Sequence, residues 1–124
     1  MMDYTETNIL AIDTASRTLR LGLSFGGDRL VKSDYQVEQS HGQIIMKKIG
    51  ELFESAGIDR TELNAICACI GPGSFTGLRI GLAAAKGMAV SLGIPVVGIS
   101  LYEIAAHKLS NLEQKVSVLV PLTR

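Results

Sequence analysis

CIGPGSFTGLRIG, residues 69–81, places Gly71, Pro72 and Gly73 between an apolar run, Ala65–Ile70, and a long stretch of small and apolar residues, Phe75–Leu92. A short apolar run, a Gly/Pro turn and a helical pattern read as strand, turn and helix, the basic step of an α/β fold. Gly71 and Gly73 permit unusual backbone angles, Pro72 stiffens the turn, and Ser74 or Thr76 caps the helix. The turn can also hold an anion, because free amides and the helix dipole point out of it and two hydroxyls lie beside them. The generic phosphate motifs do not fit. The spacing is G-x-G-x-x-x-G, and no Gly-Lys-Ser/Thr triplet follows. Asp13, after the first apolar run, poses the same choice between a turn-forming side chain and a holder of metal-bound phosphate. Asp13, Gly71, Gly73, Ser74 and Thr76 are therefore the anion-binding candidates, and the residues alone favour the turn-building role.

Working outward, residues 9–12 form a continuous apolar run that reads as a strand buried on both faces. Leu21, Leu23 and Phe25 alternate, Gly26-Gly27-Asp28 reverses the chain, and Leu30–Val37 returns, which predicts an antiparallel pair. Ser40 begins a helix with Gln43 placed to complete a capping box, and Gly57 ends it. Pro95–Ile99 reads as a strand, Leu101–Leu109 as a short helix and Val116–Val120 as a last strand. Three strands followed by alternating helix and strand predict a mixed sheet flanked by helices, with an antiparallel meander continued by parallel crossovers.

The helix after the glycine turn raises a question of its own. From Asn64 to Tyr102 only Arg79 and Lys86 are charged. Gly77, Gly81 and Ala85 recur every four residues, with Ala84 and Met88 beside them, and leave a groove that another backbone can approach. The chain's own sheet covers one side, so the expectation is that a second polypeptide covers the other. The two cations and the glycines Gly77, Gly81, Gly87 and Gly93 count against a membrane span.

Composition removes several classes. The 124 residues make one domain, and 12 basic against 12 acidic residues give a formal charge of zero, which announces no polyelectrolyte partner. Two acids and no basic region precede the first apolar run, which is unlike a secretory signal and points to the cytosol. Cys67 and Cys69 share one side of a strand and read as small buried hydrophobes, and the histidines at 41 and 107 give no zinc-ligand spacing. The expectation is no metal, no cofactor and no catalytic set.

ILAIDTAS at 9–16, SHGQIIMKKIGELFESAGI at 40–58, GPGSFTGLRIGLAAAKGMA at 71–89 and PVVGIS at 95–100 resemble the TsaB (YeaZ) family of the sugar kinase, Hsp70 and actin superfamily. The resemblance implies an actin-like, ribonuclease H-like amino-terminal lobe. It also implies a non-catalytic subunit for N6-threonylcarbamoyladenosine synthesis on tRNA, paired with its catalytic paralogue TsaD, with TsaE in a larger complex and a homodimer when TsaD is absent. Residues 115–124 are the expected start of a second lobe. A TsaD-type histidine pair would fall on Leu101 and Ala105, so the metal pair is missing and His107 stands alone. In this family the two amino-terminal helices carry the partner contact. The expected interface is thus Met46, Gly50 and Phe53 with Gly77, Gly81, Ala84, Ala85 and Met88, and a bulky residue at 81 is expected to break pairing but not folding. A nucleotide-binding enzyme of the same superfamily, and a glycoprotease-like peptidase, are the other readings.

Overall fold

Alternation decides the first half of the chain. Leu19, Leu21, Leu23 and Phe25 are buried while Arg20 and Ser24 between them are exposed, so Thr18–Phe25 forms a strand with one core face. The computed structural model describes residues 6–38, 40–111 and 117. In chain order these give β1 (Ile9–Asp13), β2 (Thr18–Phe25), β3 (Arg29–Gln36), α1 (His41–Ala56), a 3-10 turn at Arg60–Glu62, β4 (Ala65–Cys69), α2 (Phe75–Leu92), β5 (Val96–Ile99) and α3 (Leu101–Lys108). The sheet order is β3-β2-β1-β4-β5. β1 pairs antiparallel with β2, and β2 with β3, whereas β1–β4 and β4–β5 are parallel. This is the mixed sheet flanked by helices that the sequence predicts, with five strands among the described residues. The further strand expected at Val116–Val120, and the expected second-lobe start at 115–124, lie outside the described residues except for position 117.

The hairpin turn and the helix ends follow from glycine. Gly26 and Gly27 take φ of 59° and 84°, the left-handed pair that a tight turn between twisted strands needs. Gly57 and Gly93, at φ 71° and 67°, close α1 and α2. At the start of α1 the expected capping box does not form. Ser40 Oγ instead accepts from the Gly42 amide at 3.2 Å, and the complete boxes are Asp59 with Glu62 and Ser100 with Glu103, where an acid stands three residues on.

α1 and α2 lie on one side of the sheet. Ile45, Ile49, Leu52 and Phe53 of α1 join Ala85, Met88 and Ala89 of α2 and the inner residues of β1, β2 and β4 in one cluster. α3 borders the opposite face at one end, where Leu101 and Ile104 line a groove with Ala11 and Cys67. The expectation that β1 is buried on both faces fails at one residue. Leu10 and Ile12 are buried, but Ala11 between them is exposed.

Candidate functional site

The glycine turn and the end of β1 are built against each other. Thr14, 1% exposed, donates its hydroxyl to the Gly77 carbonyl at 2.6 Å. The Ser74 amide donates to the Ala15 carbonyl at 2.8 Å, and Ser74 Oγ caps α2 by accepting from the Gly77 amide at 3.2 Å. A side chain at Gly73 would run into the Ala15 carbonyl, one at Gly77 into the Thr14 carbonyl, and one at Gly81 into the Thr14 hydroxyl. Small residues thus bring the amino-terminal half of α2 onto the β1–β2 turn at backbone distance. His41 completes the cluster from α1. Its Nε2 lies 2.7 Å from the Ser16 carbonyl, which can only accept, so Nε2 carries the hydrogen and buried Nδ1 is left without a partner among the described residues.

The anion-binding candidates take part in the bonding of the turn itself. Asp13 Oδ1 accepts from the Ala15 amide at 2.9 Å, and Oδ2 lies 3.7 Å from Arg20. The Ser74 and Gly77 amides are already taken, and the Gly71 carbonyl accepts from Leu101 at 2.8 Å. Thr76 points into solvent.

The expected interface set divides. Gly77, Gly81 and Ala85 are buried in the lobe as the row that meets Thr14 or the core, so they cannot form an outer face, while Phe53, also buried, reaches the surface only in the wall of the depression that holds Gly50. Met46, Ala84 and Met88 do come together, in a groove of about 330 Å³ between α1 and α2 that Arg60, Ala83, Gly87, Ser91 and Leu92 complete. Gly50 lies in a neighbouring depression, where Arg60 Nη2 is 3.2 Å from the place its Cβ would take. Gly87 has nothing within 4 Å of that place. The outer row is therefore Ala83, Gly87 and Ser91, also spaced by four, and Val90 beside it is 85% exposed. The sequence did carry this signal, in the same periodicity as the inner row.

Cys67 and Cys69 are free thiols on the other side of the sheet, half-buried and buried respectively. Burial pushes both upward from the ordinary value of 9.0, and at Cys69 the adjacent Asp13 carboxylate adds to it while the Gly71 amide opposes it. Neither is poised as a thiolate nucleophile at neutral pH. Below pH 9 both states keep these protons. As pH rises through 9 the unfolded chain releases them first, so stability is lost on the alkaline side. A Cys67→Ala, Cys69→Ala double variant is expected to lose less urea stability between pH 7 and pH 10 than the parent. An equal loss would remove the thiols from the explanation.

His107 is exposed on α3. Among the described residues no three His, Cys, Asp or Glu side chains are grouped to hold a metal ion. No helix among them is long and apolar enough to cross a membrane.

Comparison with known proteins gives one matching family model, described as TsaD, tRNA N6-adenosine threonylcarbamoyltransferase, over residues 35–122. The tRNA threonylcarbamoyladenosine biosynthesis protein TsaB of Escherichia coli is 36% identical over 74% of this chain and 39% of its own length. TsaB of Bacillus subtilis is 34% identical over 79% of the chain and 43% of its own length. The solved structure of YeaZ from Pseudomonas aeruginosa aligns with TM-score 0.77 and 29% identity, over 83% of this chain and 49% of that one. Thermus thermophilus RuvC aligns with TM-score 0.54 at 15% identity, over 81% of this chain and 68% of that one, a likeness of fold alone. The chain spans about half the length of the curated relatives it matches.

Proposed function

The chain belongs to the TsaD family, as the amino-terminal region of its TsaB/YeaZ members, and on that premise we propose that it serves N6-threonylcarbamoyladenosine modification of tRNA as a docking subunit that does no chemistry itself. The observation that carries the proposal is the open seam between α1 and α2. Met46 is 44% exposed there, and Ala83, Ala84 and Gly87 present almost no side chain, so a partner helix can approach the backbone. The occupant we propose is the catalytic TsaD paralogue, with TsaE in a larger assembly and a second copy of the chain when TsaD is lacking. The interface is redrawn accordingly as Met46, Gly50, Ala83, Ala84, Gly87 and Met88. A nucleotide-handling role finds less support, because two of the amides at the glycine turn, those of Ser74 and Gly77, already bind Ala15 and Ser74.

Titrating the chain with the TsaD protein of the same cells tests this. Binding is expected, and Met46→Glu is expected to weaken it at least tenfold, since it drives a charge into the apolar seam. The variant should melt like the parent, because residue 46 is on the surface. Unchanged affinity in Met46→Glu would place the contact elsewhere.

A further inference from the structure

α2 carries charge of one sign. Arg79 and Lys86 are its only charged residues, both are exposed, and no acid occurs between Phe75 and Leu92. They stand on the outer side of the helix, Arg79 one turn before Ala83 and Lys86 one turn before exposed Val90, along the edge of the row that opens the seam. A third cation, Arg60, lines the seam itself from the 3-10 turn.

Nearby acids do not balance these three. Asp59 Oδ1 accepts from the Thr61 amide at 2.9 Å and Glu62 accepts from the Asp59 amide at 2.7 Å, so both are occupied in capping the turn. On α1, Glu51 is paired with Lys48 at 3.1 Å, and exposed Lys47 and Glu54 offset each other. Among the described residues no ion pair engages Arg60, Arg79 or Lys86. The Arg79 guanidinium lies 5.2 Å from the ring centre of exposed Phe75, a contact that steadies it on the ridge and neutralises no charge. The whole chain has a formal charge of zero, so the excess is local to the seam. Charges that only keep a helix in solution could be of either sign. A face that meets its own copy across a two-fold axis sets like patch against like patch, so three unmatched cations around an apolar floor oppose self-pairing and favour a partner that brings acids.

We propose that Arg60, Arg79 and Lys86 select the occupant of the seam: they favour a TsaD-type partner whose docking helices carry carboxylates beside an apolar stripe, and they hold a second copy of this chain to a weaker pairing. The inference rests on docking at the α1–α2 seam and adds to it the sign of the partner's charge.

Affinity for the TsaD protein of the same cells is measured for the parent and for the Arg79→Glu, Lys86→Glu double variant, at about 50 mM and about 500 mM salt, between which screening shortens the reach of exposed charges. A Lys32→Glu, Lys108→Glu variant changes net charge equally on the other face of the sheet. All four side chains are exposed, so both variants should melt like the parent. At low salt the seam variant is expected to bind about tenfold more weakly, with the gap closing at high salt, while the control binds like the parent. Sedimentation of the parent alone should show self-pairing weaker than partner binding at low salt and tightening as salt rises. A parent that does not bind TsaD overturns the docking reading and this inference with it. Binding that is left unchanged by the seam variant, or lost equally in the control, overturns the charge selection alone, as does self-pairing as tight as partner binding at low salt. Loss of binding to bulk tRNA in the seam variant, with partner affinity unchanged, would assign the cations to nucleic acid and likewise overturn it.

Discussion

Gly81→Leu is expected to destabilise the fold, not to split an assembly. The place of the missing Cβ coincides with the Thr14 hydroxyl and lies 3.1 Å from Thr14 Cγ2 and 3.2 Å from its Cβ. Thr14 cannot yield, because it is 1% exposed and its hydroxyl holds the Gly77 carbonyl. A leucine there separates α2 from the β1–β2 turn, at an overpacking cost on the order of 3 kcal/mol, which lowers the melting temperature by roughly 10 °C. Gly87 provides the contrast within the same helix. Its Cβ would stand in open space, so Gly87→Ala removes only a flexible helix residue and is expected to stabilise by about 0.5–1 kcal/mol. Thermal melts of the two variants separate inner from outer row. A Gly81→Leu chain that melts like the parent and only changes its assembly state would mean that the two rows are assigned the wrong way round.

Ile49→Ala is the second large effect. Ile49 is fully buried at the centre of α1, within the cluster that joins both helices to the sheet. Truncation leaves a cavity in a site held on several sides, and such changes cost about 2–5 kcal/mol. The urea midpoint should fall accordingly with little change in slope. Met46→Ala, one turn earlier and on the outer side, should stay within about 0.5 kcal/mol of the parent. Equal effects at the two positions would contradict the stated orientation of α1.

These variants also mark how far the sequence could be read. Period-two alternation in β2, serine before each helix and glycine after α1 and α2 are local signals, and the elements stand where those signals put them. The orientation of α2 is a different kind of fact. Gly77-Gly81-Ala85 and Ala83-Gly87-Ser91 are both small and spaced by four, and what decides between them is Thr14, more than sixty residues earlier in the chain. The first row was expected outside because periodicity names a stripe and not its partner. Ala11 misled for the complementary reason. An apolar strand predicts cover on both faces, but no described residue buries Ala11. Of the candidate site, Met46, Gly50, Ala84 and Met88 were legible, whereas Ala83, Gly87, Arg60 and Ser91 emerge once α1 and α2 are set side by side.

The central claim, that the outer seam of α1 and α2 is where a TsaD-type partner docks, is tested most directly by hydrogen–deuterium exchange of the chain with and without that partner. The account predicts slowed exchange concentrated in His41–Ala56 and Phe75–Leu92, with β2 and β3 unchanged. Slowing confined to the sheet or to α3, with both of those helices exchanging as in the free chain, would contradict it.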